Sequence, residues 1–224
     1  MGRAFCIPAV FFFFAAFVLL FIVSVSLPYL TAMDITRVHA DGNTELSAAN
    51  DTISQLRELI FAIRAYCYDL TNGNRVCSTT GHGYSVVVNS TSNSVTIGSS
   101  WTRGLAVHPV AAGVAFIALL LALSQHITVT LFASLVGFLA ALLAFIAFII
   151  DVALFAYVKD QMGNLGFGGN TITGPGFWLT FTSMILLVLG GCTVCFGRRR
   201  RRMANATSTS TSPKEGFFSR FKRN

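Results

Sequence analysis

The cysteines of this 224-residue chain are the residues whose spacing most directly predicts chemistry. Cys67 and Cys77 flank the turn-forming run 71–74 (Thr-Asn-Gly-Asn), and in an oxidising compartment such a pair forms a disulfide. Closing so short a loop would stabilise a small domain by roughly 2–3 kcal/mol. Cys192 and Cys195 form a lone Cys-x-x-Cys pair without the further ligands that a zinc site needs. The sequence therefore predicts one disulfide, no metal site and no cofactor.

The ionisable side chains do not form a catalytic set in the sequence. We find no nucleophile elbow, carboxylate pair or His/Cys cluster, so the chain is predicted not to be an enzyme. His39, His82 and His108 would titrate near pH 6–7 if unperturbed, and direct pH sensing competes with an ordinary surface or interfacial position. Asp151 interrupts an apolar segment, and we expect it near the outer membrane interface. A proton-relay role for it is the alternative, but no second intramembrane charge is evident to receive the proton.

Four apolar segments must position these residues. The segments 7–30, 105–124, 129–158 and 176–196 each contain about 20 or more mainly apolar residues, enough to cross a hydrocarbon core as a helix. With 54% hydrophobic and 11% charged residues, a soluble domain is excluded. The apolar run 127–158 would make a helix of about 48 Å, so the third helix is expected to project beyond the outer surface. The predicted fold is an all-α integral membrane protein, a four-transmembrane-helix bundle.

The distribution of charge predicts the orientation of the bundle. The basic residues after the fourth span exceed the single Glu215, whereas segment 31–104 has five Arg against six acids. Because basic residues favour the cytosolic side, both termini are expected in the cytosol of a plasma-membrane protein. The connecting segments are then a cytosolic N-terminus (1–6), a first extracellular loop with short strands (31–104), a cytosolic turn (125–128), a Gly-rich second extracellular loop (159–175) and a disordered basic tail (197–224).

The first extracellular loop is expected to contain a small disulfide-stapled β-sheet. Segment 34–54 is polar and is expected to be loose or partly helical. Segment 59–68 is β-branched and aromatic and favours a strand, although a helix over 54–64 is also open. Segments 84–89 and 94–97 are expected to be two short strands around the polar turn 90–93, which predicts a hairpin.

Several side chains are candidates for modification or lipid contact. Asn50 and Asn89 begin glycosylation sequons on the outer side. Cys6, Cys192 and Cys195 lie at the cytosolic membrane face, where palmitoylation and a plain helix-end cysteine are both open. The positive charge points to anionic inner-leaflet lipid and not to nucleic acid. The predicted lipid contacts are Arg198, Arg199, Arg200, Arg201 and Arg202.

Small residues within the spans predict where the helices meet, because apolar burial gives no drive for association in lipid. Two seams recur at helical spacing, and they indicate packing within one bundle. Use of the same seams for a homo-oligomer is the alternative. The seam residues are Ala111, Ala115, Ala118 and Ala122 in the second span and Ala133, Gly137 and Ala141 in the third.

A resemblance to known families follows from these segments. The run 62–67 (Ala-Ile-Arg-Ala-Tyr-Cys), followed by Cys77, resembles the claudin-type outer-loop signature Gly-Leu-Trp-x-x-Cys…Cys, with Ala62 and Arg64 in place of its Gly and Trp. More closely, residues 1–203 resemble the fungal PalI family of pH-response regulators, relatives of eisosome membrane proteins. The segments that carry this are GRAFCIPAVFFFFAAFVLLFIVSVSLPYL, SSWTRGLAVHPVAAGVAFIALLLALSQHITVTL and GPGFWLTFTSMILLVLGGCTVCFGRRR.

The resemblance implies a function as well as a fold. PalI-family members are thought to assist a seven-span plasma-membrane receptor that detects alkaline surroundings. The implied function is therefore an accessory or assembly subunit, with that receptor or another membrane protein as partner. A cortical, eisosome-like membrane organiser or claudin-like lateral scaffold is the alternative. A channel or transporter is disfavoured because the spans lack paired charges and broken helices.

Overall fold

Long helices dominate the computed structural model, which describes residues 6–30, 32–40, 45–48, 51–53, 56–81, 83–89, 93–124, 127–165 and 170–210. Four stretches of helix in this part of the chain are long and apolar enough to cross a membrane: Ile7–Leu27, Ser99–Leu123, Thr128–Asn164 and Pro175–Phe196. The prediction of four spans is confirmed, and the protein is a multi-pass membrane protein. The helices are α1 (Cys6–Tyr29), α2 (Ser99–Arg103), α3 (Val107–Leu123), α4 (Ile127–Asn164) and α5 (Pro175–Ser210), with a 3₁₀ turn at Gly104–Ala106 between α2 and α3.

The four long helices form a closed ring. Helix α3 packs against α1 and α4, and α5 packs against the same two helices from the other side. All the alanines of the two predicted seams are buried at these contacts, and so is Gly137. The ring of Phe13 is fully buried against two glycines, because a Cβ at Gly137 or Gly190 would lie 2.7 or 2.9 Å from it. The seams therefore serve packing within one bundle, as predicted.

Helices α4 and α5 both continue beyond the segments predicted for them. Helix α4 ends at Asn164 rather than 158, because Lys159, Gln161 and Met162 are good helix formers and Met162 is buried beneath the strands. Helix α5 runs to Ser210, whereas 197–224 was predicted to be disordered. The run of Arg, Met and Ala after Phe196 favours helix strongly enough to continue it. Residues 211–224 lie outside the described residues.

The strands form two antiparallel sheets at one end of the bundle, which we call the sheet layer. One sheet has the order β6-β5-β4-β1-β9 and the other β3-β2-β7-β8. All but β9 come from loop 1, the connection between α1 and α2; β9 comes from loop 2, between α4 and α5. The strands are β1 (Thr36–His39), β2 (Glu45–Ala48), β3 (Asp51–Ile53), β4 (Leu56–Phe61), β5 (Tyr66–Leu70), β6 (Arg75–Cys77), β7 (Val86–Asn89), β8 (Ser94–Ile97) and β9 (Thr171–Thr173).

The strands of loop 1 agree with the sequence predictions only in part. The hairpin over 84–89 and 94–97 is confirmed, since Val86 pairs with Ile97 and Asn89 with Ser94. The strand interpretation of 59–68 is right in type, since no helix forms there, but the segment is divided between the antiparallel strands β4 and β5 instead of forming one strand. The expectation that 34–54 is loose or partly helical is wrong, because this segment contains β1, β2 and β3. Strand β1 lies between β4 and β9, so its backbone groups are paired on both edges.

The sheet layer and the bundle share one hydrophobic core. Its members include Val38 and Phe61 from the five-stranded sheet and Val88 from the four-stranded sheet, all at least 98% buried. Leu105, Leu154 and Val158 extend this core into the ends of the helices. The sheet layer is therefore packed on the bundle and is not a separate domain on a flexible connection.

Candidate functional site

The disulfide closes one edge of the sheet layer. Strands β5 and β6 pair so that Cys67 lies directly opposite Cys77, and the two sulfur atoms are bonded. The intervening turn is formed by Asn72 and by Gly73, whose positive φ of 86° suits glycine. The predicted disulfide is confirmed, and it holds β6 against a strand whose own side chains are buried.

Removing this disulfide should destabilise the sheet layer. We expect the double variant Cys67→Ser/Cys77→Ser to lose roughly 2–3 kcal/mol of unfolding free energy, since the unfolded loop is no longer constrained. The measurement is thermal unfolding of the purified protein, with Cys192→Ser/Cys195→Ser as the matched control. Equal stability of the two double variants would contradict the prediction.

Two buried hydroxyl groups tie the sheet layer to the start of the second span. The Tyr84 hydroxyl donates a 2.7 Å hydrogen bond to the Ala62 carbonyl, and the Thr102 hydroxyl donates one of 2.8 Å to the Tyr84 carbonyl. Burial raises the pKa of the Tyr84 phenol above its usual value, so the hydroxyl remains a neutral donor. The segment after β4 is thereby connected to α2 through a single tyrosine.

A charged network links the first strand to its neighbours. Asp34 is fully buried and accepts two hydrogen bonds from the Arg37 guanidinium, at 2.9 and 3.1 Å. The hydrogen bond that Arg37 donates to Asp34 is the largest influence that raises the pKa of Arg37, so this cation is permanently charged. The Arg37 Nε atom also lies 3.2 Å from Glu58, and the exposed His39 lies 3.5 Å from the same carboxylate. The buried charge of Asp34 is thus compensated by a fixed bidentate partner.

Loops 1 and 2 meet at the backbone of Asp34. The Gly174 N–H donates to the Ile35 carbonyl, and the Gly176 N–H donates to the Asp34 carbonyl, each at 2.8 Å. These bonds continue the pairing of β1 with β9 up to Pro175, the first residue of α5. The Asp34 carboxylate also lies close to the N-terminus of α5, where the free N–H groups of the helix favour negative charge. This contact fixes the position at which the fourth span begins.

A histidine and an aspartate are paired inside the bundle below the sheet layer. His108 on α3 and Asp151 on α4 are both fully buried, and His108 Nε2 lies 3.1 Å from Asp151 Oδ2. The other ring nitrogen, Nδ1, lies 3.0 Å from the Leu105 carbonyl oxygen. Asp151 Oδ1 has no hydrogen-bond partner among the described residues. The pair is therefore a polar contact buried within the bundle.

This pair corrects two sequence expectations. His108 is not a surface histidine, because α3 turns its side chain into the bundle, where it is fully buried. Asp151 does not lack a polar partner within the spans, since His108 faces it from the adjacent helix. The sequence signal was present, as each is the sole His or Asp in its span segment, but they lie 43 positions apart. The exposed His39 is on the surface as expected, and His82 lies outside the described residues.

The modification and lipid-contact residues remain predictions. Asn89 is half-buried at the end of β7, and Asn50 lies outside the described residues. Cys6 begins α1, Cys192 is half-buried, and the exposed Cys195 has its Sγ atom 2.9 Å from Ser134 Oγ. The backbone of α5 carries Arg198, Arg199, Arg200, Arg201 and Arg202 at the end opposite the sheet layer, and their side chains lie outside the description.

The architecture defines the class of the protein. Within the described ranges, no group of three or more His, Cys, Asp or Glu side chains could hold a metal ion. What the structure does present is a four-helix membrane bundle capped at one end by a disulfide-bonded antiparallel layer, which is a claudin-like fold.

Comparison with known proteins narrows this class. The SUR7/PalI family model matches residues 5–190, which include the first three spans, both loops and most of the fourth span. The chain belongs to the SUR7/PalI family, as the resemblance in its sequence indicated. No curated protein matches the chain in a sequence comparison.

Proposed function

We propose that the protein is a non-catalytic accessory or assembly subunit of a fungal ambient-pH signalling receptor complex in the plasma membrane. The observation that carries this proposal is the sheet layer, which is built from both loops and shares its core with the bundle. Such a layer presents a rigid surface to a neighbouring protein. Because the surface is already ordered, binding to it costs little conformational entropy. Membership of the SUR7/PalI family supports the proposal.

The orientation proposed for this function places the sheet layer outside the cell. The excess of Lys and Arg in the tail supports cytosolic termini. The same tail would contact anionic lipid of the inner leaflet, at about 1 kcal/mol per basic residue near the surface. The proposed contacts are Arg198, Arg199, Arg200, Arg201 and Arg202, with palmitoylation of Cys6, Cys192 and Cys195 and glycosylation of Asn50 and Asn89 as accompanying modifications.

A cortical membrane organiser acting through lateral contacts is the second candidate. The observation that favours it is strand β6, which lies at the end of its sheet and leaves Val76 41% exposed. An edge strand offers unpaired backbone groups to a strand of another molecule. A homo-oligomer or a lateral scaffold would form in this way.

Deleting the gene and restoring variants of it separates the two candidates. If the accessory function is right, deletion abolishes growth at alkaline pH, and the restored protein co-purifies with a seven-span receptor after crosslinking. The variant Val76→Glu, which places a charge on the β6 edge, should restore that growth as well as the wild type does. Normal alkaline growth after deletion, with altered cortical patches that Val76→Glu fails to restore, would instead support the lateral organiser.

A further inference from the structure

We propose that His108 and Asp151 form a proton-dependent hydrogen bond between α3 and α4, a contact that holds only while a single proton lies between Nε2 and Oδ2. The inference rests on the geometry of the pair and not on the proposed function. It assigns a conformational device to the bundle immediately below the sheet layer.

The hydrogen bonds fix the number of protons in the pair. A carbonyl oxygen only accepts, so the contact between Nδ1 and the Leu105 carbonyl requires a proton on Nδ1. At 3.1 Å, Nε2 and Oδ2 also need one proton between them. Whether that proton belongs to the ring or to the carboxyl group, the pair carries no net charge. It is therefore suited to an apolar interior in this state alone.

The hydroxyl groups of α5 near the carboxylate donate to backbone carbonyls in this structure. On α5, Thr180 faces Asp151, but its hydroxyl donates to the Gly176 carbonyl, and the Ser183 hydroxyl donates to the Thr180 carbonyl. Helix α3 carries no titratable side chain other than His108. On α4, Lys159 and Asp160 are exposed and lie two turns further along.

Among the remaining elements, the buried Asp34 beside the start of α5 is paired with Arg37. In the described part of α1 the titratable side chain at this end is Tyr29, which is 71% exposed, and Arg103 before α3 is exposed as well. Removal of the shared proton would thus leave a buried carboxylate facing the lone pair of Nε2. Burial of such a charge without a donor is strongly unfavourable.

Loss of the proton would act on the junction between bundle and sheet layer. From Ile127 to Asp151, α4 rises about 36 Å, which exceeds the roughly 30 Å hydrocarbon core and places the pair at the sheet-side end. Leu105 before the pair and Leu154 after it belong to the core shared with the strands. Separation of α3 from α4 at this level would therefore loosen the support of the sheet layer.

Thermal unfolding of the full-length protein in lipid nanodiscs tests whether the hydrogen bond between His108 and Asp151 depends on this proton. Between about pH 6 and pH 10, a range that spans histidine titration, we expect wild-type stability to fall at least tenfold in the folding equilibrium constant. That fall corresponds to about 3–6 °C in Tm for a chain of this size. Asp151→Asn should remove this fall, because its amide donates to an unprotonated Nε2 without a titrating proton. Asp160→Asn, an exposed carboxylate on the same helix, should keep it.

A spectroscopic measurement decides the matter if Asp151→Asn does not fold. In a His39→Gln/His82→Gln/His126→Gln background, ¹⁵N resonances report the protonation of each ring nitrogen of His108. We expect Nδ1 to stay protonated while Nε2 changes to the unprotonated type as the pH rises and Tm falls. An Nε2 signal that is constant through about pH 10, or identical pH profiles for wild type and Asp151→Asn, would overturn the proposal.

Discussion

Replacing Gly174 by alanine should lower the unfolding free energy by about 3 kcal/mol, at the upper end of what overpacking costs. A Cβ at this position would collide with the Asp34 backbone carbonyl and would lie 2.6 Å from its carboxylate oxygen Oδ2. Neither group can move freely, because Arg37 holds the carboxylate and the Gly176 N–H holds the carbonyl. The alanine would therefore push β9 away from β1.

Thermal unfolding of Gly174→Ala is the measurement, with Gly81→Ala as the matched control. Gly81 is exposed in the same layer, and a Cβ there would meet nothing within 4 Å. We expect the control to unfold within a degree or two of the wild type. Similar losses in both variants would mean that the contact between the two loops does not depend on close backbone approach.

Asp151→Ala should be at least as damaging, with an expected loss of about 3–5 kcal/mol. Truncation leaves His108 buried without its partner, and breaking one side of a buried pair has costs of this size in other proteins. Asp160→Ala, on the exposed face of the same helix, should have little effect. Comparison of the two variants by thermal unfolding in the same lipid checks the prediction.

The double variant His108→Leu/Asp151→Leu separates a lost partner from lost packing. Replacing a buried pair by apolar residues of similar volume is often neutral or stabilising. We therefore expect the double variant to be more stable than Asp151→Ala. A double variant that unfolds as easily as Asp151→Ala would show that the cost arises from altered packing and not from an unpaired histidine.

Local sequence patterns were sufficient to predict the helices, the hairpin and the disulfide. Each span is a continuous apolar run, and β7 and β8 alternate in burial along their lengths. The strands that were missed depend on distant partners. Strand β1 has four residues and is stabilised by pairing with β4 and with β9, which lies more than a hundred positions away in the sequence. Such pairing overrides the local preference of a short polar segment.

The buried pair was missed for a similar reason. A tight turn between α3 and α4 predicts antiparallel neighbours, but Asp151 lies further from that turn than His108 does. Symmetry about the turn therefore does not pair them, and the register depends on packing of side chains that no local pattern specifies.

The position of β9 also imposes an order on biosynthesis. Strand β1 emerges from the ribosome among the first residues of loop 1, but its partner β9 is translated only after three spans have been made. Until then one edge of β1 stays open to other nascent chains. Completion of the five-stranded sheet is thus delayed until β9 has been translated, and a chain that stops before it would expose an unfinished edge to cellular quality control.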